Sequence, residues 1–490
     1  MNTSRFDTLL TSLRTVSDNL SKTLPFKKIS GFIEEIQQTK PAWPPLRIGR
    51  LVAPVPIVQG GMGVGISLSS LASAVAEAGG IGVIAANGIG LLEKDYFEDG
   101  QAAGLRAFRR EIRTAREKTK GIIGVNIMVA LNDFHQMLDV AIEEKVDIVF
   151  MGAGLPIKGL PVARMRENGV AVAPIVSSAR AAEMIFKMWG KIYQDIPDAV
   201  VFEGPLAGGH LGFAPEQLDK EEFQLKAIVP QIVEALIPFS KEFGREIPVI
   251  AGGGVYSGQD VYDTLQLGAS GVQMATRFVA TDECDADIKF KQAYVDCTED
   301  QIGLIKSPVG MPGRAIRNDF ILAAEEGRRP SFRCAWKCLA SCKAQDANYC
   351  ISIALNNARK GLLRQGFVFV GANAYKIDSI VPVASLVNEL AEGYWLAAHE
   401  KASVKLEQLV ERAEKLWKKY EGMDSLVIEL GKAYEQALHA LPEISLTELR
   451  NQYNSAISKA RNLQLQTVEH VVGAWDLFKA SPATVPQTSK

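Results

Sequence analysis

Residues Ile247–Phe278 read Ile-Pro-Val-Ile-Ala-Gly-Gly-Gly-Val-Tyr-Ser-Gly-Gln-Asp-Val-Tyr-Asp-Thr-Leu-Gln-Leu-Gly-Ala-Ser-Gly-Val-Gln-Met-Ala-Thr-Arg-Phe. An apolar run, a glycine triplet, an amphipathic stretch at Ser257–Leu267 and a second apolar run follow one another. Neither run alternates polar with apolar residues, so both faces of each strand should be buried, as in a parallel sheet. Parallel neighbours need a crossover, and the amphipathic stretch supplies it. The same unit recurs upstream. Runs at Val55–Met62, Ile81–Asn87, Ile122–Met128, Asp147–Gly154, Val170–Ser178 and Ala199–Pro205 precede these two, with helical stretches such as Ser69–Ala78 and Ala102–Lys118 between them. Eight strand–helix units in order predict a closed (β/α)8 TIM barrel, with its active site at the C-terminal strand ends. The competing arrangement is an open doubly wound sheet. The count of eight and the glycines at most strand ends favour the barrel.

The chain of 490 residues has room for such a barrel and for additions at both sides. Five regions are expected: a helical N-terminal extension over 1–45, the barrel over 46–320, a cysteine-containing segment over 321–382 completing the barrel domain, a Lys/Glu-rich helical region over 383–480, and a disordered tail over 481–490. A net charge of −2 argues against a nucleic-acid or anionic-membrane partner. Residues 1–40 lack the uninterrupted apolar core of a signal peptide, and no run is long enough to span a membrane, so the cytoplasm is the expected compartment. The terminal helices carry no catalytic signature and are read as packing or assembly surface, with homo-oligomerisation as one use.

Candidate chemistry gathers at the strand ends. In Val-Phe-Glu-Gly-Pro-Leu-Ala-Gly-Gly-His-Leu-Gly-Phe (201–213), His210 stands among glycines just after a buried strand. Glycine lets the backbone approach a flat ligand, and an imidazole there suits proton transfer near neutral pH. The plainer alternative is a histidine that caps a turn. Gly252, Gly253 and Gly254 with the hydroxyl of Thr276, ending the last two strands, suit a phosphate, as late-strand loops of barrels often do. Arg277 either adds charge there or ties down the rim. The first strand ends in Gln59-Gly-Gly-Met-Gly-Val-Gly65, where Gly61 and Met62 could press on a planar ring. Asn126, in Gly124-Val-Asn-Ile-Met128, offers an amide to a ring edge or serves as a buried polar plug.

Together, Gln59–Met62, Gly124–Met128, the Gly-Gly-His-Leu-Gly turn, Pro248–Gly254, Val272–Phe278 and Gly313-Arg-Ala-Ile-Arg-Asn318 resemble the FMN-dependent nitronate monooxygenases and, equally, the FMN-dependent enoyl-acyl-carrier-protein reductases. The resemblance covers roughly residues 46–320. It implies an FMN oxidoreductase in which Asn126, Glu203, Gly208, Gly253, Gly254, Gln273, Met274, Ala275 and Thr276 contact the flavin and His210 is catalytic. The expected reaction is oxidation of alkyl nitronates with O2. The alternative is NAD(P)H-dependent reduction of an enoyl thioester. Three positions depart from the pattern: Leu206 replaces a frequent acid, Glu203 a common Gln, and Ala275 a usual Gly.

Four of the six cysteines, Cys334, Cys338, Cys342 and Cys350, fall within 17 residues and have no counterpart in either family type. Four-residue spacing would set three thiols on one helical face. Such a set can hold a [4Fe–4S] cluster or a zinc ion, or simply pack in a core.

Overall fold

The computed structural model describes residues 43–401 apart from 329–331, 335, 341 and 399. Residues 1–42 of the expected N-terminal extension, the part of the expected helical region and tail beyond 401, and any assembly through them lie outside the described residues. Two compact units divide the chain, one of them residues 45–391, which carries the site.

Eight parallel strands close into a barrel: β3 (Ile57–Gln59), β4 (Ile81–Ala85), β5 (Ile122–Met128), β6 (Ile148–Gly152), β7 (Ala171–Val176), β8 (Val200–Glu203), β10 (Val249–Gly252) and β11 (Gly271–Met274). Each lies inside one of the eight apolar runs, and β11 pairs with β3 to complete the ring. The (β/α)8 barrel is therefore the fold, and the open sheet is excluded. The runs are longer than the strands because their last residues turn outward as loops. Gly60, for example, leaves the ladder with its N–H still bonded to Met274 O at 2.8 Å.

Local chemistry sets the crossovers. Helix α2 (Gly100–Lys118) starts at Asp99, whose carboxylate accepts from Ala102 N, and α5 (Ala179–Tyr193) starts at Ser178, which accepts from Ala181 N. Helix α7 (Gly258–Gln266) opens with a reciprocal box: Ser257 Oγ accepts from Asp260 N, and the Asp260 carboxylate accepts from Ser257 N. Between strands and helices lies the larger apolar layer, including Phe108, Phe186, Trp189 and Phe202. Inside the barrel Val58, Val83, Phe150, Val201 and Ile250 pack with Leu46, Ile48, Leu51 and Ala53. Those last four belong to a hairpin, β1 (Leu46–Ile48) and β2 (Leu51–Ala53), that immediately precedes the first barrel strand and closes the N-terminal end.

The opposite end is covered by chain from beyond the barrel. Strands β12 (Ile302–Lys306) and β13 (Pro312–Ile316) form a hairpin, and β13 pairs on its other side with β9 (Gly209–His210). Helices α10 (Asp319–Glu325) and α11 (Ile351–Arg359) flank the cysteine block. The spacing predicts a helix here, but the described residues of the block form none. Its backbone instead bonds to the loop after β5: Asn132 N donates to Cys338 O, Ala340 N donates to Ala130 O, and Leu339 bridges Leu131. A helix would have used those same groups internally.

Candidate active site

Parallel register brings the predicted residues to one rim. Gly252 stands beside Glu203 on one side and Gln273 on the other, Met274 beside Gln59, and Asn126 beside Ala85. Glycine at position 61 is required by close packing: a Cβ there would come within 2.4 Å of Asn126 Cβ. Gly253 and Gly254 have φ of +93° and +102°, which turns their backbone into the rim where side-chain residues are strained. The side chains of Asn126, Glu203 and Gln273 are part-buried and form no hydrogen bond among the described residues. Two amides, a carboxyl and a bare glycine backbone therefore face the barrel mouth. That donor set fits the edge of a flavin ring and its phosphate.

Burial decides the charges. Glu203 is pushed up to about 7 by loss of solvent, so its carboxyl is part-protonated at neutral pH. His210 is pushed down to about 4 for the same reason and is neutral there. Its Nε2 lies 2.8 Å from Ser307 Oγ, and its ring meets Phe369 edge-on at 5.1 Å. The histidine is thus not in a free turn. Pairing of Gly209 and His210 with Arg314 and Gly313 makes it part of a strand. Just upstream, buried Arg314 donates to Pro205 O at 2.6 Å and Ala207 O at 2.7 Å, which holds the turn that delivers His210.

Several contributors escaped the sequence reading. Ser307 is one, and the segment Val370–Asn373 is another. Gly371 N donates to Thr276 Oγ1 at 3.0 Å, Ala372 N donates to Leu206 O at 3.0 Å, and Asn373 Nδ2 donates to Gly254 O at 2.7 Å. A Cβ on Gly208 would strike Val370 carbonyl carbon at 2.6 Å. One short stretch therefore links Gly208, Gly254 and Thr276, and the Thr276 proton stays free for an anion. The sequence signal is Phe367-Val-Phe-Val-Gly371, an apolar run ending in glycine like the barrel strands. Leu206, at the position where an acid is frequent, presses toward the Gly254 cradle. Arg277 is a rim tie: it pairs with Glu389 at 2.7 Å and lies over the Tyr256 ring.

A closed parallel barrel with a glycine-lined polar rim and a neutral imidazole at its C-terminal end places the protein in the TIM-barrel class. The nitronate monooxygenase family model matches residues 47–393, and the chain belongs to that family. Family membership supports FMN as the cofactor and an oxidoreductase activity. Among curated relatives, the chain is 29% identical over 274 residues to a (3aS,4S,5R,7aS)-5-hydroxy-7a-methyl-1-oxo-octahydro-1H-indene-4-carboxyl-CoA dehydrogenase of Mycobacterium tuberculosis, covering 56% of this chain and 66% of that protein. It is 26% identical over 315 residues to a probable nitronate monooxygenase of Staphylococcus aureus, covering 56% and 80%. Among solved structures it is similar to FabK from Thermotoga maritima, with 28% identity, a TM-score of 0.54, and coverage of 72% and 95%. Nitroalkane oxidase from Streptomyces ansochromogenes shares the fold at 24% identity and a TM-score of 0.54, with coverage of 70% and 96%. No described helix is long and apolar enough to cross a membrane.

Proposed function

We propose that this enzyme uses FMN to oxidise alkyl nitronates, the anions of nitroalkanes, with O2. Asn126 and Gln273 would hold the ring edge, while Gly253, Gly254 and the Thr276 hydroxyl would hold the phosphate. FMN, when bound, supplies the electron acceptor, and O2 completes the oxidation. The observation that carries the proposal is His210, a neutral imidazole fixed through Ser307 at the barrel mouth. A neutral ring accepts the α-proton of a nitroalkane through its free nitrogen or, in its protonated tautomer there, donates to an anionic nitro oxygen. Glu203 in its neutral form can share that pocket with an anion, which its ionised form would repel.

A second reading is an NAD(P)H-dependent FMN reductase of enoyl thioesters. Similarity to a dehydrogenase of a carboxyl-CoA substrate favours it, as does the apolar Leu206 beside the glycine cradle. Anaerobic stopped-flow on the flavin absorption separates the two. Bleaching by an alkyl nitronate without nicotinamide, followed by nitrite release on admitting O2, supports nitronate oxidation. Bleaching only by NAD(P)H, with recovery on adding an enoyl thioester, refutes it in favour of the reductase.

A further inference from the structure

Cys334, Cys338, Cys342 and Cys350 all line one cavity of about 380 Å³. None of them is in a disulfide. Each thiol lies within electrostatic reach of the other three. The flavin rim uses none of these residues.

Two further observations point to an absent occupant. Three buried side-chain polar atoms lack a hydrogen-bond partner among the described residues: Arg245 Nε, Trp336 Nε1 and Tyr349 Oη. Trp336 and Tyr349 both line this cavity. The indole N–H lies beside the Tyr96 hydroxyl and against Gly100 of α2, short of hydrogen-bond geometry. Buried donors left unpaired are costly, and an unfilled ion or cluster site is one of the few settings that explains them. Cys350 also sits at the N-cap of α11, where its side chain makes no capping bond to the first-turn amides.

The cavity also selects the kind of occupant. Among the described residues no three such side chains are placed to hold one metal ion, as tetrahedral zinc would require. A cubane offers each thiolate its own iron and so takes ligands set farther apart. The volume is more than ten times the roughly 30 Å³ share of one liquid water.

We infer that Cys334, Cys338, Cys342 and Cys350 are the ligands of a [4Fe–4S] cluster held in this cavity. The site adjoins the barrel mouth. Its block bonds to the loop that follows Asn126, and Pro308 and Val309, which form part of its wall, come directly after Ser307. The inference stands on the cavity alone and does not depend on the flavin substrate.

The test is anaerobic purification of the full chain, then reconstitution with ferrous iron and sulfide, with iron, sulfide, zinc and FMN assayed separately. About four irons and four sulfides per chain are expected, with a paramagnetic signal on reduction by dithionite. Cys338→Ser and Cys350→Ser should each lose most of the iron while FMN content and the far-ultraviolet circular dichroism stay unchanged; Cys297→Ser, outside the cavity, should keep the iron. If a variant misfolds, alkylation of the intact protein decides. The four thiols should resist iodoacetamide when loaded and react after chelation. Trace iron after reconstitution, about one zinc per chain, or disulfides among these cysteines would each overturn the inference.

Discussion

Glu203 is a carboxyl in a place that disfavours its charge, and replacing it with Gln isolates that cost. The group titrates near 4.5 when free and at about 7 in the fold, with burial as the cause. At 1.36 kcal/mol per pH unit, ionised Glu203 costs the folded protein about 3 kcal/mol. The sign follows from proton counts. Between pH 4.5 and about 7 the folded state holds a proton that the unfolded state has lost, so stability falls as pH rises through this window and levels off above it. Below pH 4.5 both states are neutral and there is no penalty. Glu203→Gln keeps the shape and removes the charge. Flavin-free Glu203→Gln should therefore match the parent at pH 4.5 and exceed it by about 3 kcal/mol at pH 8.5, measured by urea unfolding at both pH values. A stability difference that is the same at both pH values would show that the carboxyl is not desolvated, and the charge logic of the pocket would fail with it.

Gly61→Ala forces a Cβ into Asn126, so stability in urea should fall by about 1–3 kcal/mol, the usual cost of overpacking, and displacement of the Asn126 amide should weaken FMN in a fluorescence titration. Thr276→Ala removes the hydroxyl and should weaken FMN by about 1–2 kcal/mol in the same titration; an unchanged affinity would place the phosphate elsewhere. His210→Ala should bind FMN and melt cooperatively yet lose roughly 10²–10⁴-fold in turnover. A folded mutant at near parental rate would return His210 to a structural role. Arg314→Met strips two carbonyls of their buried cation and should destabilise the protein by about 3 kcal/mol in urea, taking turnover down with it as the Pro205–Ala207 turn loosens.

The barrel was legible because its strands are buried on both faces and so spell continuous apolar runs. The rim glycines were legible for a related reason: Gly61 and Gly253 occupy positions where a Cβ collides or the backbone is left-handed. The supports of the site were not. Ser307 lies 97 residues from His210 in the chain, and no local pattern announces that pairing. Phe367–Val370 reads as one more strand, yet it adds none to the barrel and leads instead into the stretch tied to Thr276 and Gly254. The regular spacing of Cys334, Cys338 and Cys342 suggests a helix, but bonds to Ala130 and Asn132 draw the backbone out. Spacing describes a helix only when nothing nearby competes for the amides.

The stretch at Gly371–Asn373 has a consequence for how the protein is made. The last barrel strand ends at Met274, and the residues tied to Thr276 and Gly254 arrive about 100 residues later. At the roughly 5–20 residues per second of a working ribosome, that gap lasts on the order of 5–20 s. During it all eight barrel strands have been made, but the stretch that bonds to Thr276 and Gly254 has not. The bonds to Thr276 and Gly254 thus wait until residue 373 has been made, and a stall in the intervening hairpin or cysteine block would leave them unformed.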